Sequence, residues 1–134
     1  MSNIAKVTFH GGTGSVTGAN FLLEVDGKRI LVDCGLTQGL KMADDINWEI
    51  FPYTPKEVDI LFVTHSHVDH IGRIPKLLHE GFRGKIYSTH PTKALSLPML
   101  EDTTGILSKN TDLGLDKIYT AENVRLAMSL WEGF

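Results

Sequence analysis

A chain of 134 residues with 42% hydrophobic and 22% charged residues has the composition of a single globular domain, not of a disordered segment. Its formal charge of −3 carries no basic footprint of a nucleic-acid binder, and it neither suggests nor excludes an RNA substrate. One cysteine rules out an internal disulfide, and no apolar run approaches membrane-spanning length, so the cytoplasm is the expected compartment, without membrane contact.

In chain order, Ile4 to Phe9 alternates weakly and predicts a first strand ending at His10. The glycine-rich Gly11 to Gly18 follows. Its spacing departs from the dinucleotide-binding fingerprint, and the strand-like Asn20 to Val25 stands where a helix would be needed. A tight loop between two strands is the better reading. Phe21 to Val25 and Lys28 to Val32 flank Asp26-Gly27, which predicts a hairpin whose second strand delivers Asp33 at its end. A carboxylate there can accept backbone N–H bonds in the following turn. Cys34 beside it reads as a small buried hydrophobe rather than a thiolate ligand. Leu40 to Phe51 is less regular and reads as a loop with one helical turn, its Trp48 packed into a core or lid. Thr54-Pro55-Lys56-Glu57 has a cap threonine, a proline at the first helical position and a glutamate at the third, predicting a one-turn helix.

The stretch Asp59 to Gly72 carries the chemistry. Ile60, Leu61, Phe62 and Val63 are apolar without a helical period and predict a short buried strand. Directly after it come His65, His67, Asp69 and His70, three imidazoles and one carboxylate, the donor set that suits zinc and its borderline neighbours. Alternation pairs His65 with His67 as one chelating couple, and Asp69 and His70 follow a turn and face a second ion. Ile71, Ile74, Leu77 and Leu78 share one helical face, and Gly81 closes that helix, whose positive end points at the loop. The basic residues Arg73, Lys76, Arg83 and Lys85 fit either phosphate contacts or a solvated surface. His79 reads as solvent-facing. Lys85 to Ser88 predicts another strand, and His90 beyond it is left outside the site. Pro91 to Leu107 looks helical with a kink or break at Pro98, and Ser108 to Asp116 reads as a loop. Thr120 to Asn123 opens a last helix with Val124, Ala127, Met128 and Trp131 as its apolar positions.

His65-x-His67-x-Asp69-His70 after an apolar strand resembles the motif of the metallo-β-lactamase superfamily. The flanking Thr64 to Leu77 and Gly81 to Tyr87, with Gly11 to Gly18 and Leu31 to Gly39 upstream, resemble its RNA-processing branch of β-CASP ribonucleases. The resemblance implies an α+β fold: the N-terminal half of an αββα sandwich, one mixed sheet with flanking helices. It implies that residues 1–134 form a single partial domain, ending before the family's later metal-ligand motifs and lacking the β-CASP insert. It also implies metal ligation by His65, His67, Asp69 and His70, with Asp69 part of the catalytic apparatus, and a bracing role for Asp33 behind the histidine loop. No substrate-binding residue is implied.

In the complete family site two zinc ions activate water for in-line attack on a phosphodiester. The function implied is metal-dependent hydrolysis, RNA phosphodiester cleavage first. A thioesterase or lactonase of the same superfamily and a non-catalytic assembly module are the alternatives. Two ligands per ion fall short of the usual three protein ligands of a catalytic zinc, so the chain alone is expected to need a partner for activity. One sheet without its mate leaves an apolar face bare, so a homodimer or a complementary C-terminal polypeptide is the expected partner, beside RNA.

Overall fold

The computed structural model describes residues 4–14, 17–38 and 47–134. Strand β1 (Lys6–Gly11) pairs antiparallel with β2 (Asn20–Val25), and β2 pairs antiparallel with β3 (Lys28–Val32). The Asp26-Gly27 turn has φ of 49° and 74°, the left-handed pair that a tight hairpin of this twist requires. From β3 onward pairing becomes parallel, through β4 (Ile60–Phe62), β5 (Lys85–Ser88) and β6 (Trp131–Gly133). The result is one six-stranded mixed sheet in the order β1-β2-β3-β4-β5-β6.

The helices cover one face of it. They are α1 (Val68–Ile71), α2 (Ile74–His79), α3 (His90–Leu107), α4 (Leu115–Ile118) and α5 (Ala121–Ser129). Register aligns Leu22, Leu31, Leu61, Ile86 and Trp131 in one row across five strands. That row is buried against Ile71, Ile74, Leu77, Leu78, Leu100, Val124 and Ala127 from the helices. Side-chain alternation sends the neighbouring positions to the opposite face. There Phe9, Phe21, Val32, Phe62 and Tyr87 form a second apolar row, in register across β1 to β5. Phe9 is 61% exposed and Phe62 38%, and no member of this row belongs to the core. The bare sheet face expected from the sequence is present among the described residues.

Several local expectations shift. The first strand begins at Lys6 and runs through a bulge at His10 to Gly11. The segment around Leu40 lies mostly outside the described residues, and Asn47 onward is a turn leading to Phe51. Pro55–Glu57 is a 3-10 turn without the side-chain capping bond expected of Thr54, because the Glu57 N–H donates to the Thr54 carbonyl at 3.0 Å, while the Glu57 carboxylate reaches across to Arg29 Nη1 at 2.5 Å. The helix after the histidines is two pieces, α1 and α2, separated at Gly72-Arg73. Helix α3 continues through Pro98 without a break. Both Pro98 and Ala94, whose carbonyl loses its helical donor to that proline, are exposed, so water can take the freed acceptor. Trp131 leaves the last helix and opens β6, where its indole Nε1 donates to Ser88 Oγ at 2.8 Å.

Candidate metal centre

Strand β4 ends at Phe62, and the chain then runs extended through Val63 to His67 before α1 begins. Parallel pairing on both sides, to β3 and β5, fixes where this loop leaves the sheet. Residues 34–36 after β3 and Ala19 just ahead of β2 lock it in place. Cys34 N–H donates to the His70 carbonyl at 2.9 Å, Leu36 N–H to the Val68 carbonyl at 3.0 Å, and Ala19 N–H to the Asp69 carbonyl at 3.0 Å. Gly35 permits that approach, since a Cβ there would collide with the Asp69 carbonyl. Any side chain at Gly35 pushes the ligand loop off its support.

Asp33 is the brace. It is 1% exposed and held at φ 63°, a left-handed conformation uncommon outside glycine. Its Oδ1 accepts the Thr64 backbone N–H at 2.8 Å. Its Oδ2 accepts the Thr64 hydroxyl at 2.7 Å and meets His70 Nδ1 at 2.7 Å. As a carboxylate Asp33 only accepts, so Nδ1 of His70 carries the proton and Nε2 keeps its lone pair. The same bookkeeping extends one residue. The Thr64 hydroxyl spends its hydrogen on Asp33, so at 3.0 Å from His65 Nδ1 it accepts a proton from that ring. Nε2 of His65 is likewise left as a donor to an electrophile.

His65, Asp69 and His70 each offer one ligand atom, and those atoms lie within 4.8 Å of one another. His70 Nε2 is 3.5 Å from Asp69 Oδ2, and the His65 and His70 rings are 4.0 Å apart between centroids. All three side chains are half-buried, open enough for an ion to enter. His67 is exposed and sits at the N-cap of α1, its ring centroid 4.8 Å from that of His65. In this arrangement His65 lies closest to Asp69 and His70, and His67 flanks them. Thr64 is the site residue that sequence reasoning missed, its only signal being a hydroxyl adjacent to the first histidine. Burial pushes the Cys34 thiol up to about 11, and Cys34 is not among the grouped candidate ligands.

The basic residues after the loop divide. Arg83 and Lys85 are exposed, as a solvated surface requires. Arg73 and Lys76 are 2% and 1% exposed, so the solvated reading fails for both. The Phe51 ring explains their burial, with the Arg73 guanidinium 5.2 Å and the Lys76 ammonium 3.8 Å from its centroid. Lys76 also bonds the Glu80 carboxylate at 2.5 Å.

A mixed sheet whose central parallel strand ends in a braced histidine and carboxylate loop defines an α+β domain of the metal-dependent type. The family model described as the metallo-beta-lactamase superfamily matches residues 14–118, and the chain belongs to that superfamily. Over 104 residues it is 43% identical to ribonuclease TTHA0252 of Thermus thermophilus, covering 78% of this chain and 24% of that protein. It is 34% identical to cleavage and polyadenylation specificity factor 73 of Drosophila melanogaster, over 87% of this chain and 17% of the relative. It is 35% identical to transcription termination factor FttA of Methanosarcina mazei, over 78% of this chain and 16% of that factor. The chain thus spans a quarter or less of the length of these relatives.

Proposed function

We propose that the chain is the metal-binding N-terminal part of a hydrolase that cleaves RNA phosphodiesters, with zinc as the ion. The observation that carries this reading is the Asp33 network. One buried carboxylate sets the tautomers of His70 directly and of His65 through Thr64, leaving both Nε2 atoms free for a metal. The donor set of imidazoles with one carboxylate fits zinc, and His67 and Asp69 complete the candidate ligands. Bound zinc supplies Lewis acidity toward a phosphoryl oxygen and acidifies water. The residues of this chain hold the ligand loop rigid, orient its imidazoles and place Asp69 beside His70 at the opening. The RNA substrate is supported by the names of the relatives, which include a ribonuclease and a cleavage factor.

The apolar sheet face bears on the working unit. We assign it to a second β layer, supplied by further C-terminal polypeptide, because Phe9, Phe21, Val32, Phe62 and Tyr87 present a flat row that only another apolar surface covers well. A second copy of the chain is the competing occupant. The test is cleavage of a labelled single-stranded RNA by the zinc-loaded chain, alone and with the C-terminal part of a relative. Cleavage that disappears with chelator and in His70→Ala supports the reading. Thioester turnover without RNA cleavage would replace it with a small-molecule hydrolase, and indifference to His70→Ala with an assembly module.

A further inference from the structure

Among the described residues Arg73 is a buried charge with an unpartnered donor. Its guanidinium is 2% exposed, yet no carboxylate pairs with it among the described residues. Nε donates to the Gly35 carbonyl, and one face lies toward Phe51, but Nη2 is buried with no partner. A buried charged donor left unmet is costly, and such groups as a rule find an anion or ordered water. His10 Nε2 is buried and unpartnered too. Both residues line one cavity of about 240 Å³, together with Asn20, Glu49, Ile50 and Pro52. Asn20 is already committed, its Nδ2 donating to the Asp33 carbonyl and its Oδ1 accepting the Tyr53 hydroxyl. The two unpartnered buried nitrogens are therefore those of His10 and Arg73, residues on different elements that border the same cavity. The β1 bulge falls at His10, the kind of irregularity that re-aims a side chain beside a site. Glu49, Ile50 and Pro52 are exposed and form the mouth.

We propose that this cavity binds a phosphate group, either free phosphate or the phosphate of a nucleotide, between His10 Nε2 and Arg73 Nη2. A guanidinium N–H and an imidazole N–H offer two charge-favoured donors to adjacent oxyanion oxygens. The anion supplies a directly paired countercharge, which no ion pair among the described residues gives Arg73, against the repulsion of the exposed Glu49 carboxylate at the mouth. Burial and the neighbouring Arg73 hold His10 below its ordinary pKa, the direction an empty cationic pocket produces and a bound anion reverses. Neither His10 nor Arg73 is among the candidate metal ligands, so the inference does not rest on the nuclease reading.

The test is isothermal titration of the full chain, freed of metal by chelator and dialysed, with inorganic phosphate and separately with adenosine monophosphate. Metal-free protein keeps phosphate from being drawn to His65, Asp69 and His70. One phosphate per chain is expected, with affinity reduced about tenfold or more in His10→Phe and lost in Arg73→Met. Tighter binding of the nucleotide than of free phosphate assigns the group to a nucleotide, and equal or weaker binding assigns it to free phosphate. Arg73 is buried, so unfolding of its variant, read by circular dichroism, passes the decision to His10→Phe at the sheet edge. No phosphate binding by the unmodified chain overturns the proposal, and so does binding that survives His10→Phe unchanged.

Discussion

At the residue scale the site turns on Asp33. One side chain accepts from a backbone N–H, a hydroxyl and an imidazole, and each bond fixes something a metal would need. Asn tolerates the left-handed φ of 63° but cannot accept from Thr64 and His70 through one anionic oxygen. Asp33→Asn is expected to fold and to lower zinc affinity by on the order of 10–100-fold, measured by competition with a chelating dye. Unchanged affinity would remove Asp33 from the account. Cys34 supplies a pH prediction. Burial raises its thiol from an ordinary 9.0 to about 11, so the folded state favours the neutral form. Its contribution to stability is complete below pH 9.0 and falls as pH rises from there toward 11. Below that window Cys34 should resist alkylation in the native chain and react at once in denaturant. The burial of Cys34 and the nearness of His65, Asp69 and His70 were readable from residue type and spacing, whereas the contact between Asp33 and the histidine loop was expected only from the family resemblance. The burial of Arg73 and Lys76 was not readable, because a lone Phe51 far upstream gives no sign that two cations will lie against its ring.

Elements show the same division. The Asp26-Gly27 hairpin and the strand Lys85 to Ser88 were legible because turn chemistry and apolar runs are local signals. Strand β6 was not, since Trp131 continues the apolar spacing of α5 and only the parallel edge of β5 draws it into the sheet. Pro98 is the other case. Sequence rules expect a break, but Thr89 caps α3 by accepting the Thr92 N–H, and Leu100 and Ser96 anchor the helix in the core on either side of the proline. The missing hydrogen bond should still cost stability. Pro98→Ala is expected to stabilise the chain by about 1–3 kcal/mol, read as a higher Tm. On the buried side, Leu77 in α2 is fully enclosed, and Leu77→Ala should destabilise by about 2–5 kcal/mol in urea unfolding.

For the whole molecule the governing feature is a sheet dressed on one side. Helices α1, α2, α3 and α5 bury the Leu22 to Trp131 row, while the Phe9 to Tyr87 row has no cover among the described residues. Such a surface drives association. Phe62→Glu places a charge within that row, and where the isolated chain self-associates through it, is expected to shift it toward monomer in sedimentation velocity without loss of helical signal. An unaltered assembly state would mean that this face is not where copies meet. Whether the braced loop holds a metal is read out by native mass spectrometry of chain purified without chelator and supplied with zinc. Zinc is expected on the unmodified chain and absent from His70→Ala. A metal-free unmodified chain, or zinc retained equally by the variant, would contradict that expectation.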